Sequence, residues 1–99
     1  MNKVKTNSTG SMSRVHDWTP NEYGYMVQTT LLYSYNTIVG YIKENRVVIC
    51  SGPYSTTTSK HLAKYRDEFG IEKEDTFEYA AFVKRAELDG VNVRGGWNN

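Results

Sequence analysis

Between residues 27 and 51 the chain alternates apolar and polar positions in three short runs, and from 58 onward it changes to a helical period. In the first run Val27, Thr29, Leu31, Tyr33 and Tyr35 fall on one side, while Gln28, Thr30, Leu32 and Ser34 fall on the other. β-Branched and aromatic residues dominate, as a pleated, half-buried surface requires, which predicts a strand over about 25–35. Two further strands are predicted over about 38–43 and 46–51. Asn36-Thr37 forms the first turn and Glu44-Asn45 a two-residue hairpin connection, where Asn tolerates the positive φ that tight turns need. Gly52-Pro53 then stops the sheet, because proline cannot donate to the ladder.

A row of hydroxyls, Ser55-Thr56-Thr57-Thr58-Ser59, precedes the first helical pattern. One of them is expected to cap a helix over about 58–69, whose inner face is Leu62, Tyr65 and Phe69. Gly70 ends it in the left-handed conformation. Asp75 with Glu78 resembles a capping box ahead of a second helix over about 76–89, with Lys84 and Arg85 towards its negative end. Val91 and Val93 suggest a short edge strand. Strands first and helices afterwards give an α+β fold: a three-stranded antiparallel sheet followed by two helices packed on one face. Residues 1–20 are polar and aperiodic and read as a disordered arm. The domain then spans 21–93 and a flexible tail 94–99. The Gly10-Ser11-Met12 junction leaves open whether residues 1–11 are native.

Ninety-nine residues hold one small core at most. Only 38% of the chain is apolar and 13% is aromatic, so tyrosine and phenylalanine must supply much of the core and much of any binding surface. The formal charge of +1 fits neither an acidic DNA mimic nor a basic DNA coat. It is unevenly spread: Lys3, Lys5 and Arg14 outweigh Asp17 at the start, whereas acidic residues dominate 71–90. A single cysteine excludes a disulfide framework. Without a membrane-span pattern or a signal-peptide h-region, a cytoplasmic protein is expected.

The hairpin and the helix start resemble a small family of phage-encoded domains without an assigned biochemical function. The residues carrying the resemblance are Ser34-Tyr35-Asn36-Thr37-Ile38-Val39, then Tyr54-Ser55-Thr56-Thr57-Thr58-Ser59-Lys60-His61 with Lys64-Tyr65, about a third of the chain. The resemblance implies a phage or prophage accessory protein and transfers no site residue.

Candidate chemistry is sparse. Cys50 sits among strand residues, where a thiol behaves as a small hydrophobe. His16, His61 and Asp17 show no metal-ligand spacing, and no phosphate loop or nucleophile elbow is present. No enzyme activity, metal or cofactor is therefore expected. Two binding readings remain. Thr58, Ser59, Lys60 and His61 at a helix start, with Lys64, Arg66, Lys43 and Arg46, would suit an anion or nucleic-acid phosphate, with Tyr33, Tyr35, Tyr41 and Tyr54 available for stacking. Alternatively, Tyr33, Tyr35, Tyr54 and Trp97 would anchor a protein partner, since Tyr and Trp are enriched at interface hot spots, and Trp18 stands in the polar arm beside them. The leading expectation is stoichiometric binding to a host or antiviral-defence protein, in the manner of an anti-CRISPR inhibitor. Nucleic-acid binding is the alternative. A small sheet with an open edge also makes a homodimer possible.

Overall fold

The structure, a computed structural model, describes residues 4–9 and 12–93, with side chains from residue 12 onward. Five antiparallel strands lie in sequential order: β1 (Val4–Thr9), β2 (Met12–Pro20), β3 (Met26–Ser34), β4 (Thr37–Lys43) and β5 (Arg46–Gly52). After β5 comes helix α1 (Thr56–Phe69), then a single 3-10 turn at Lys73–Asp75. The two-residue strand β6 (Phe77–Glu78) pairs parallel with β5, and helix α2 (Tyr79–Leu88) follows directly.

The sheet is larger than the three strands expected. Met12–Pro20, assigned above to a disordered arm, pairs residue for residue with β3, from Met12 opposite Ser34 to Pro20 opposite Met26. Its alternation was hidden because the inward positions of β2 are small or polar except for Val15. Ser13 and Thr19 are buried by their neighbours rather than by their own hydrophobicity. Thr19 Oγ1 meets Thr29 Oγ1 at 2.6 Å, a cross-strand pair that satisfies two buried hydroxyls. The tail 94–99 lies outside the described residues.

The helices do not share a face. Leu31, Tyr33, Tyr41, Val48 and Cys50 project to one side and meet Phe82, Val83 and Ala86 of α2. Leu32, Val39 and Ile49 project to the other and meet Leu62 and Tyr65 of α1. Neighbouring positions such as Leu31-Leu32 and Val48-Ile49 are both apolar, so both faces of the central strands have to be covered. The parallel β5–α1–β6 crossover covers one face, and α2 covers the other. Val39 is an extra residue in β4, since Leu32 pairs with Gly40 and Tyr33 with Ile38. A Cβ on Gly40 would stand 2.9 Å from the Val48 carbonyl, so only glycine fits the close approach there.

Local endings differ from expectation in informative ways. Ser55 is the N-cap of α1 and Gly70 its left-handed C-cap, as the hydroxyl run and the glycine imply. The box around Asp75 does not form: Asp75 belongs to the 3-10 turn, Phe77 and Glu78 pair with β5, and Glu78 caps α2 without a side-chain bond. Strand pairing of Phe77 takes the residues the box would need. Val91 and Val93 add no strand and instead bury in the α2-side core. The first hairpin turns at Tyr35-Asn36, with Tyr35 at φ 56. The second turns at Glu44-Asn45 with φ 51 and φ 66, the doubly positive geometry of a type I′ turn.

Glu44 is the costlier residue of that pair, because only Asn, Asp and Gly adopt positive φ readily. Glu44→Gly is expected to stabilise the fold by about 0.5–1 kcal/mol, read as a raised urea midpoint at constant m. A second expectation concerns pH. Burial pushes the Tyr65 phenol up from 10.0 to about 12, and Tyr33, Tyr41 and Tyr54 are also raised, burial again being the largest cause. The neutral phenol is the form the fold favours. For Tyr65 that contribution is complete below pH 10 and is lost as pH rises towards 12, at about 1.4 kcal/mol per pH unit. Circular dichroism and phenolate absorbance should thus change together in one cooperative step in that window. Independent ionisation with the fold intact would contradict it.

Candidate functional site

The residues that carry the sequence resemblance come together in space, and what they build is a joint. The Thr58 amide donates to Ser55 Oγ at 3.3 Å, closing the cap of α1. Thr58 Oγ1 in turn accepts from Ser34 Oγ at 3.0 Å. The Ser34 oxygen lies 2.7 Å from His61 Nδ1. With the Ser34 proton committed to Thr58, the imidazole donates from Nδ1 to Ser34, a tautomer assigned by the network. The Tyr35 ring packs on His61 with centroids 5.6 Å apart. One turn further on, Tyr65 donates its hydroxyl to the carbonyls of Tyr33 at 2.7 Å and Ser13 at 3.2 Å, tying α1 to β3 and β2 together. Ser34, Thr58 and His61 are all buried, Ser34 being 1% exposed. A serine beside a histidine suggests a nucleophile and its base, but this pair is sealed beneath a helix and its protons are already placed.

The basic candidates are dispersed. Ser59, Lys60 and Lys64 are exposed on α1, and Arg66 is half-buried there. Lys43 is on the opposite side of the sheet, 2% exposed, with its ammonium donating to the Pro20 carbonyl at 2.6 Å and to the Asp89 carbonyl. Arg46 pairs with Asp89 Oδ1 at 2.7 Å. The expected basic surface of Lys43, Arg46, Lys60, Lys64 and Arg66 is therefore not assembled. Nor is the stacking row: Tyr33 and Tyr41 are core, and Tyr54 is half-buried with its hydroxyl on Cys50 Sγ at 3.2 Å. Of the proposed aromatic anchors only Tyr35 is well exposed, and Trp97 lies outside the described residues.

The exposed aromatic surface is elsewhere, at the end of the β2–β3 hairpin. Asn21 organises this turn. Its side-chain oxygen accepts from the amides of Tyr23 and Tyr25 at 2.9 and 3.0 Å, and its own amide donates to the Tyr25 carbonyl at 2.8 Å. Gly24, at φ 84, donates to the Asn21 carbonyl. Asparagine is suited to this because its short amide mimics a backbone turn. The closed loop displays Tyr23 and Tyr25, 76% and 73% exposed. Trp18 and Met26, about half exposed, are diagonal neighbours on one sheet face where the strands enter the turn. Pro20-Asn21 followed by Gly24 is a turn signal in the sequence. It was obscured because the segment before it did not read as a strand.

Behind the turn is a cleft of about 600 Å³, bounded by Pro20–Glu22, the β4–β5 turn and the end of α2. Its floor is a polar knot around Asp89. That carboxylate accepts from the Tyr41 hydroxyl, from Arg46, and from Arg85 Nε at 3.4 Å. Burial, reinforced by Asp89, raises the Tyr41 phenol further than that of Tyr65. Lys43 places its charge on the Asp89 carbonyl at the end of α2, where the helix dipole is negative. Glu22, Glu44 and Glu87 line the mouth.

A mixed sheet flanked by a helix on each face, with Trp18, Tyr23 and Tyr25 exposed at one hairpin end, defines a small α+β sheet protein. Residues 2–84 match a family of unknown function, DUF8033, and the chain belongs to that family. No curated protein and no solved structure gives a match. Among the described residues no helix is long and apolar enough to cross a membrane.

Lys43 is expected to be a stabilising residue. Lys43→Met keeps the stem but leaves two carbonyls without their donor, at a cost of about 1–3 kcal/mol. Urea denaturation checks it, and an unchanged midpoint would show that the ammonium contributes nothing.

Proposed function

We propose that this protein is a stoichiometric protein-binding module whose contact surface is the Trp18–Met26 end of the β2–β3 hairpin. One observation carries the reading: of seven large apolar side chains exposed on the described surface, four (Trp18, Tyr23, Tyr25 and Met26) lie within nine consecutive residues. Large aromatics on a rigid loop bind at low entropic cost, because little is left to order on contact. Asn21 supplies that rigidity. The resemblance to phage-encoded domains favours a phage-type accessory protein acting in the host cytoplasm, with a host or antiviral-defence protein, a CRISPR effector included, as the target to be inhibited.

Nucleic-acid binding is the weaker reading. It retains Lys60 and Lys64 on α1, but Lys43 and Arg46 are committed to Asp89 and the end of α2 on the far side of the sheet. Single-stranded DNA titrated at low salt tests it directly: steeply salt-dependent binding lost in Lys60→Glu with Lys64→Glu would restore it.

For the preferred reading, lysates of candidate bacterial hosts are passed over the wild-type chain and over Tyr23→Ala with Tyr25→Ala. These exposed substitutions should leave the unfolding midpoint within about 0.5 kcal/mol. A partner retained in stoichiometric amount by the wild type should fall at least about tenfold on the variant. Equal recovery on both baits would remove the hairpin end as the surface.

A further inference from the structure

The aromatic turn and the acidic cleft share a wall, Pro20-Asn21-Glu22. We infer that the partner presents a basic segment, an arginine or lysine next to a large apolar residue. The cation enters the cleft while the apolar neighbour lies on Tyr23 and Tyr25. This deepens the protein-binding reading and rests on it.

Charge is the first argument. Four carboxylates, Glu22, Glu44, Glu87 and Asp89, line the cleft with two cations, Lys43 and Arg46, and Arg85 reaches Asp89 from α2, so carboxylates outnumber cations there. Both cations and Asp89 are engaged with one another or with the α2 terminus. Glu22 and Glu44 are exposed and take part in none of the ion pairs among the described residues. An arriving cation therefore meets unspent negative charge, within low-dielectric walls that strengthen the attraction.

Shape and wall chemistry point the same way. A volume of about 600 Å³ is in the range of small-ligand sites and holds a whole basic side chain with water around its head. Leu88, 76% exposed, and Pro20 offer apolar contact to the methylene stem. The rings of Tyr23 and Tyr25 can take a cation over their faces or an apolar side chain against them. A metal ion is the poorer occupant: no three of the His, Cys, Asp and Glu side chains among the described residues are grouped as ligands. The position of Glu44 is also informative. It holds a backbone conformation in which glycine or asparagine is easier, and it lines the cleft.

The test is a random-peptide display library selected on the immobilised chain, followed by synthetic peptides of the enriched sequences. The expected consensus has Arg or Lys beside an aromatic or large aliphatic residue. Replacing that Arg by citrulline (or that Lys by norleucine) should weaken binding by roughly tenfold, and so should Glu22→Gln combined with Glu44→Gly, each with loss of salt dependence. Because Glu44→Gly relaxes the turn, weaker binding there is not a folding defect. Peptides without a basic residue, indifferent to the Glu22 and Glu44 changes yet lost on Tyr23→Ala with Tyr25→Ala, would overturn the basic-segment inference and leave the hairpin surface standing. No enrichment over the double-alanine variant, or binders indifferent to it, would overturn both. A dimer in sedimentation that Lys60→Glu with Lys64→Glu abolishes would make the occupant a second copy of this chain, and would also overturn the inference.

Discussion

The nine-residue antiparallel ladder between Met12–Pro20 and Met26–Ser34 is the constraint on which the rest of the molecule depends. Register in a sheet decides which side chains face which way, and a slip of one residue would invert every one of them. With Val15 opposite Leu31 and Ser13 opposite Tyr33, one face of these strands joins the α2 core. Leu32 and Ser34 are thereby turned to α1. The same ladder holds Trp18 and Met26 on a common face and delivers the chain to the Asn21 turn, so the aromatic end and the helix joint are two consequences of one register. Tyr65 reads that register directly, because its hydroxyl bridges the carbonyls of Ser13 and Tyr33, which are ladder partners.

That dependence explains why the most recognisable stretch of the sequence is structural. Ser34 and Tyr35 close a strand, Thr58 and His61 open a helix, and they meet because β3 and α1 must be fixed at a given offset. Polar groups under a helix are costly unless paired, and a chain of hydroxyls ending on an imidazole pairs them all. Such a network specifies one docking of α1 more sharply than methyl groups would. Tyr35 holds a positive φ at the turn while its ring covers His61, so a local backbone cost is tolerated where it completes the seal.

The legible parts of the fold were those with a strong local signal: the alternation of 27–35, the Glu44-Asn45 turn, the Pro53 stop, the hydroxyl cap and Gly70. The parts that escaped were set by tertiary context. β2 carries one aliphatic inward residue, and its strand character comes from pairing with β3. Asp75 stands three residues ahead of Glu78 and just before a helix, which reads as a cap, but Phe77 and Glu78 are taken by pairing with β5. The two-sided packing was present in Leu31-Leu32 and Val48-Ile49 but competed with the habit of placing both helices of a small domain together. At the candidate site, residue type was readable and position was not. Tyrosine richness pointed to a binding surface, yet Tyr33 and Tyr41 are core, and the two most exposed, Tyr23 and Tyr25, stand at the β2–β3 turn.

Net charge misleads here for a related reason. A chain at +1 looks electrostatically indifferent, and basic residues outnumber acidic ones on the β4–β5 hairpin and α1. Folding redistributes them. Lys43 and Arg46 are drawn into the Asp89 knot, where they hold the end of α2 and neutralise a buried carboxylate. Arg14 is spent on Glu68 and the Phe69 ring. Glu22 and Glu44 take part in none of the ion pairs among the described residues and line the cleft behind the aromatic turn. The acidic character of that cleft rests on Glu22 and Glu44, because its cations are held in place by Asp89 and the end of α2 and cannot swing out to them.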